Sequence, residues 1–110
     1  MKLPNYEKAV VPRRKIVDYL LSDSHPRGRT KAVFFKKFGF RQNQWRVLAE
    51  ALAEHAARHE AILVEANDYG VCYNIIGELR TPSGRSPIIL AAWFFDTGSG
   101  IPRLISAFPH

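Results

Sequence analysis

The densest run of reactive side chains is His25-Pro26-Arg27-Gly28-Arg29-Thr30-Lys31, which sets an imidazole, three cations and a hydroxyl within seven residues. Together these types suit a phosphate. The cations neutralise its charge, Gly28 lets the backbone come close, and the N–H groups of Thr30 and Lys31 at a helix start can point at an anion. Cutting RNA without a metal requires a base for the 2′-hydroxyl, an acid for the departing 5′-oxygen, and cations to stabilise the phosphorane between them. His25 can transfer a proton, and Lys31 with Arg27 or Arg29 can supply the charge. A second titrating group is not evident nearby and must come from elsewhere in the fold. Arg80, Thr97, Arg103 and Ser106 are late residues that a sheet could bring under the loop. Strict alternation along the last strand puts Arg103 with Ile105 and Ala107 on one face, and Ser106 with Leu104 and Phe108 on the other. Both reach one cleft only through a bulge.

Other reactive residues read as structural. His55 and His59 lie four apart on a helix, but no further ligand follows at metal-site spacing, so the pair is expected to be a solvated helix end. No metal or cofactor is expected. Cys72, the single cysteine, has no activating cation beside it and fits a small buried strand residue. The Trp93-Phe94-Phe95 run suits core packing, and Tyr69, at a turn, is the better candidate for stacking on a base.

The loop must be held by the elements on either side. Ile16, Val17, Leu20 and Leu21 recur at helical spacing, which predicts a short helix from Arg13 to Leu21; Ser22 to Arg29 breaks it. Thr30 can cap a second helix, Lys31 to Phe38, ended by Gly39, with Lys36 and Lys37 free to reach solvent. Trp45, Leu48, Leu52 and Ala56 trace the core stripe of a third, from Asn43 to Arg58. Period two or short apolar runs then predict strands at Ile62–Ala66, Val71–Leu79, Ile88–Phe95 and Ile101–Phe108, separated by turn residues short enough for hairpins. The expectation is an α+β fold: three N-terminal helices followed by a four-stranded antiparallel β-meander.

At 110 residues the chain makes one domain, 1–110, large enough to bury a core without disulfides. Its apolar runs fall short of the about 20 residues a membrane helix needs. The start, Met-Lys-Leu-Pro-Asn-Tyr-Glu-Lys, lacks the apolar core of a secretory signal, and one cysteine fits a reducing compartment; a cytoplasmic protein is expected. The net charge of +6 is unevenly spread. Residues 1–50 carry twelve Lys/Arg against four Asp/Glu, a balance of +8, and residues 51–110 carry four against six, a balance of −2. Such a field draws a polyanion to one side of the molecule, and RNA is the expected partner. Arg27, Arg29, Thr30, Lys36, Lys37 and Arg80 are the candidate nucleic-acid contacts.

The pairing of His25-Pro-x-Gly-x-x-Lys31-Ala-x-x-Phe35 with Pro102-Arg-Leu-Ile-Ser106-Ala-Phe108-Pro109 resembles a bacterial family of small domains of unknown function over nearly the whole chain. Such domains occur alone and as C-terminal modules of polymorphic toxins. Their layout is similar to the barnase–EndoU–colicin–RelE superfamily of RNases, whose early His and Lys and late strand ending are implicated in RNA cleavage. The resemblance implies His25 as the proton-transfer group, Lys31 and Arg103 as phosphate or transition-state binders, and Ser106 as a polar site residue. The chain has Phe108 where Tyr is common. Function as an endoribonuclease toxin, a hydrolase restrained by an acidic antitoxin or immunity protein, is the expectation that follows. The alternative is a non-enzymatic module that binds nucleic acid or a partner protein, itself antitoxin or immunity-like, which needs only the charge.

Overall fold

A computed structural model describes residues 1–110. Helices come first and the sheet second. Helix α1 opens behind Pro12 as an α-helical turn, Arg13–Lys15, and widens into a π-helical stretch, Ile16–Leu20. There the Leu21 N–H reaches back five residues to the Ile16 carbonyl at 2.8 Å. Ile16, Leu20 and Leu21 are fully buried, which is the anchor the apolar spacing predicts. Helix α2, Arg29–Lys37, starts two residues earlier than expected, with Gly28 at the N-cap and no side-chain cap, so Thr30 falls inside the first turn. Gly39, at φ 100°, ends it as expected. A 3₁₀ turn, Gln42–Gln44, leads into helix α3, Trp45–Arg58.

Strands β1 (Ala61–Asn67), β2 (Gly70–Glu78), β3 (Ile88–Asp96) and β4 (Arg103–Pro109) form an antiparallel meander in the order β1-β2-β3-β4. One face of the sheet carries Ile75, Ile89, Ala91, Trp93 and Leu104 into a core shared with Ile16, Leu20, Phe35, Leu48 and Leu52 of the helices. Each such aliphatic or aromatic burial stabilises the fold by roughly 1.5–3 kcal/mol. No helix is long and apolar enough to cross a membrane.

Two details of β4 bear on the loop. First, Trp93 pairs with Leu104 and Ala92 with Ser106, so Ile105 is the extra residue of a β-bulge. The bulge lets Leu104 and Ala107 both stay buried while Arg103, Ser106 and Phe108 share the opposite face, opposite Phe94, Ala92 and Leu90. Strict alternation therefore fails here, and Arg103 and Ser106 point the same way. Second, Val10 bridges the start of β4 in parallel, its N–H on the Pro102 carbonyl at 2.9 Å and its carbonyl taking the Leu104 N–H at 3.0 Å.

The His55–His59 pair is not a solvated helix end. His55 sits seven residues after Leu48 on the same stripe and is fully buried. Its Nε2–H donates to the Gly77 carbonyl at 3.1 Å, and His59 Nε2–H to the Glu78 carbonyl at 2.8 Å, so the pair fastens α3 to β2.

Candidate functional site

The loop between α1 and α2 is folded on its own polar groups. Ser22 Oγ accepts the N–H groups of Ser24 at 3.3 Å and His25 at 3.2 Å. His25 Nδ1 then accepts the N–H groups of both Arg27 and Gly28, each at 2.9 Å. A ring nitrogen that accepts two N–H groups has its lone pair engaged, so the neutral ring carries its proton on Nε2. Gly28 packs directly on the backbone carbonyl of Tyr19, where a Cβ has no room. This seats the loop on α1.

Tyr19, at the end of the π-helical stretch, is the hub. Its hydroxyl lies 3.2 Å from Ser106 Oγ on β4, a contact between residues 87 apart in sequence. The His25 ring stands edge-on to it with centroids 4.9 Å apart. Lys31 Nζ is 5.2 Å and Lys15 Nζ 5.4 Å from the Tyr19 ring centroid. Partial burial alone would raise the Tyr19 pKa, yet the hydrogen bond to Ser106 and the ammonium groups of Lys31 and Lys15 outweigh it, and the phenol is held below its ordinary value. Lys31 is itself positioned: Nζ donates to the Arg27 carbonyl at 3.2 Å and lies 5.9 Å from the Phe108 ring centroid.

Tyr19 lines one open cleft, and Lys31 lines a second. The larger, about 470 Å³, lies among Arg14, Lys15, Asp18, Tyr19, His25, Arg27 and Ile105. The other, about 390 Å³, lies among Thr30, Lys31, Phe108 and Pro109. Their charge is strongly positive, with Asp18 the one carboxylate in either lining.

The fold thus unites His25, Arg27, Thr30, Lys31 and Ser106 of the residues singled out in the sequence. Arg29 and Lys37 are exposed and line neither cleft. Lys36 is paired with Asp23 at 2.7 Å. Arg80 is on a different part of the molecule, paired with Glu54 of α3 at 3.3 Å. Arg103 shares the face of Ser106, but its guanidinium binds Asp96 twice, at 2.8 and 3.1 Å, and lies over the Phe94 ring. That bond holds the Asp96 carboxyl below the usual carboxylate range and raises Arg103 further. Thr97 donates to the Asp68 carbonyl at 2.8 Å, joining two turns. Among the aromatics, Trp93 is fully buried and Tyr69 is 80 % exposed.

Sequence reasoning passed over Tyr19 and Lys15. A signal was present: Lys15 and Tyr19 are four apart, off the apolar stripe of Ile16 and Leu20, in the helix that enters the loop.

Residues 2–110 match the family described as "Domain of unknown function (DUF6883)". The chain belongs to this family. No curated protein matches it in sequence. Among solved structures, the DUF6883 chain is similar to one from "Contact-dependent growth inhibition toxin - immunity protein complex from Klebsiella pneumoniae 342". The TM-score is 0.71 at 24% identity, over 94% of this chain and 95% of that one. At that identity the likeness shows a shared fold, which the DUF6883 domain builds from its helices and meander.

Proposed function

We propose that this chain is a metal-independent endoribonuclease, the toxin of a toxin–antitoxin or polymorphic toxin pair, that cuts RNA by attack of the 2′-hydroxyl on the adjacent phosphodiester. The observation that carries this reading is the gathering of His25, Lys31 and Ser106 around Tyr19, which with His25 lines an open, basic cleft. Lys15, Arg14 and Arg27 of the cleft, with Lys31 beside Tyr19, offset phosphate charge, and the His25 Nε2–H is free to donate to a non-bridging oxygen as the phosphorane forms. Three cations against one carboxylate, Asp18, make a lining that suits stabilisation of phosphate charge by protein cations. Arg103 can join them by exchanging Asp96 for a substrate phosphate.

Control by a protein partner fits the same surface. A partner presenting carboxylates to this cleft would be steered to it and would block it, and the solved structure the chain resembles is a toxin–immunity complex. Such an inhibitor would be acidic.

The test is to incubate the protein in EDTA with a single-stranded RNA and with DNA of the same sequence. Cleavage of the RNA alone, leaving 2′,3′-cyclic phosphate ends, is expected. Intact RNA, or equal cutting of DNA, which has no 2′-hydroxyl, would overturn the reading.

A further inference from the structure

We propose that Tyr19 is the general base of the reaction, with Ser106 as its positioning residue and His25 confined to hydrogen-bond donation; this rests on the ribonuclease reading. The first ground is geometric. A base must present a lone pair to the substrate, and the one lone pair of His25 accepts the N–H groups of Arg27 and Gly28 inside the loop. Freeing it would undo the turn that seats Gly28 on Tyr19. What His25 offers the cleft is Nε2–H, a donor.

Tyr19 has the opposite character. Tyr19 lines the open cleft from an irregular helical turn, of a kind that often marks functional sites, and its hydroxyl and cationic neighbours favour phenolate against the opposing effect of partial burial. Ser106 Oγ–H can donate to that oxygen from β4, Lys31 approaches from α2, and Lys15 from α1. Arg14 and Arg27 line the same cleft, and Asp18 is the one negative group facing it; β4 contributes no titratable group there. The lowered pKa of Tyr19 agrees with this arrangement. It also explains why Ser106 and Lys31 belong to one site although neither is a good base itself.

The step balances as follows. Tyr19 phenolate takes the 2′-hydroxyl proton while the 2′-oxygen bonds to phosphorus and the bond to the 5′-oxygen breaks. The departing 5′-oxygen takes a proton from a cleft water, and the resulting hydroxide recovers the proton held by Tyr19. Products are a 2′,3′-cyclic phosphate and a free 5′-hydroxyl.

The experiment compares wild type, Tyr19→Phe, Ser106→Ala and His25→Ala for RNA cleavage from pH 5 to 10 and for binding of a 2′-O-methyl RNA. Tyr19→Phe is expected to lose roughly a hundredfold or more in cleavage rate while binding the analogue within about threefold of wild type. The wild-type rate should keep climbing above neutral pH, and Ser106→Ala should shift that climb to higher pH. In spectrophotometric titration, the tyrosine absent from Tyr19→Phe should ionise at higher pH in Ser106→Ala. A Tyr19→Phe variant as fast as wild type, or a wild-type rate already level by about pH 7, would overturn the assignment and leave the ribonuclease reading standing. A wild type that leaves RNA intact would overturn both.

Discussion

Gly28 sits against the carbonyl oxygen of Tyr19 so closely that no side chain fits between them. This is the joint that fixes the loop from His25 to Lys31 onto α1. The backbone at Gly28 is in an ordinary right-handed conformation, φ −84° and ψ −23°, so alanine carries no backbone strain there and its effect isolates the packing against Tyr19. Gly28→Ala is expected to lower stability by about 1–3 kcal/mol in chemical denaturation and to weaken RNA binding with it. Unchanged stability would mean that the loop does not rest on α1.

Acid should loosen the molecule through His55. Burial pushes its pKa from 6.5 down to about 4, with His59 and Arg58 adding to the shift and the Gly77 carbonyl and Glu54 opposing it. Above pH 6.5 the ring is neutral in both folded and unfolded chains. Between 6.5 and about 4 the unfolded chain takes a proton that the folded chain refuses, so stability falls as pH drops through that window. The expected loss at pH 4.5 relative to pH 7.5 is roughly 2–3 kcal/mol. Denaturation at the two pH values in His55→Leu should show a difference smaller by about that amount; an equal difference would assign the acid sensitivity to other groups.

Binding should depend on which cations are changed. Arg14→Glu and Arg27→Glu alter the cleft lining, whereas Arg80→Glu alters a group paired with Glu54 on another part of the surface. Each cleft reversal is expected to weaken binding of a 2′-O-methyl RNA and to flatten its salt dependence by about 0.7 in log–log slope for every phosphate the protein no longer neutralises. Arg80→Glu should leave the slope as it is. Equal effects from all three would point to diffuse attraction by net charge.

The elements of the fold were readable because each is set by local periodicity. Ile16 and Leu20, Leu48 and Leu52, and the Ile88–Phe95 run declare their buried faces in the sequence, and all took the expected places. The α2 start was displaced because the His25 carbonyl takes the Arg29 N–H at 3.0 Å and the Gly28 carbonyl the Ala32 N–H at 2.8 Å, with no side-chain cap from Thr30. His55 was misread because polarity was given more weight than its place on the Leu48 stripe. The candidate site was legible only in part: His25 to Lys31 is contiguous, but Tyr19 reaches Ser106 through a π-helical turn and a bulge at Ile105. Both irregularities depend on tertiary packing, and neither has a periodic signature.

The most direct test sets wild type beside Lys31→Ala on one single-stranded RNA in EDTA. Lys31 lines the smaller cleft and lies beside both Tyr19 and Phe108, and its half-exposed side chain can be removed without opening the core. The expected result is cleavage by wild type to cyclic phosphate ends and a rate lower by roughly a hundredfold or more in the variant, with the two proteins melting alike. Equal cleavage by both, or none by either, would contradict the assignment of this cleft to RNA cleavage.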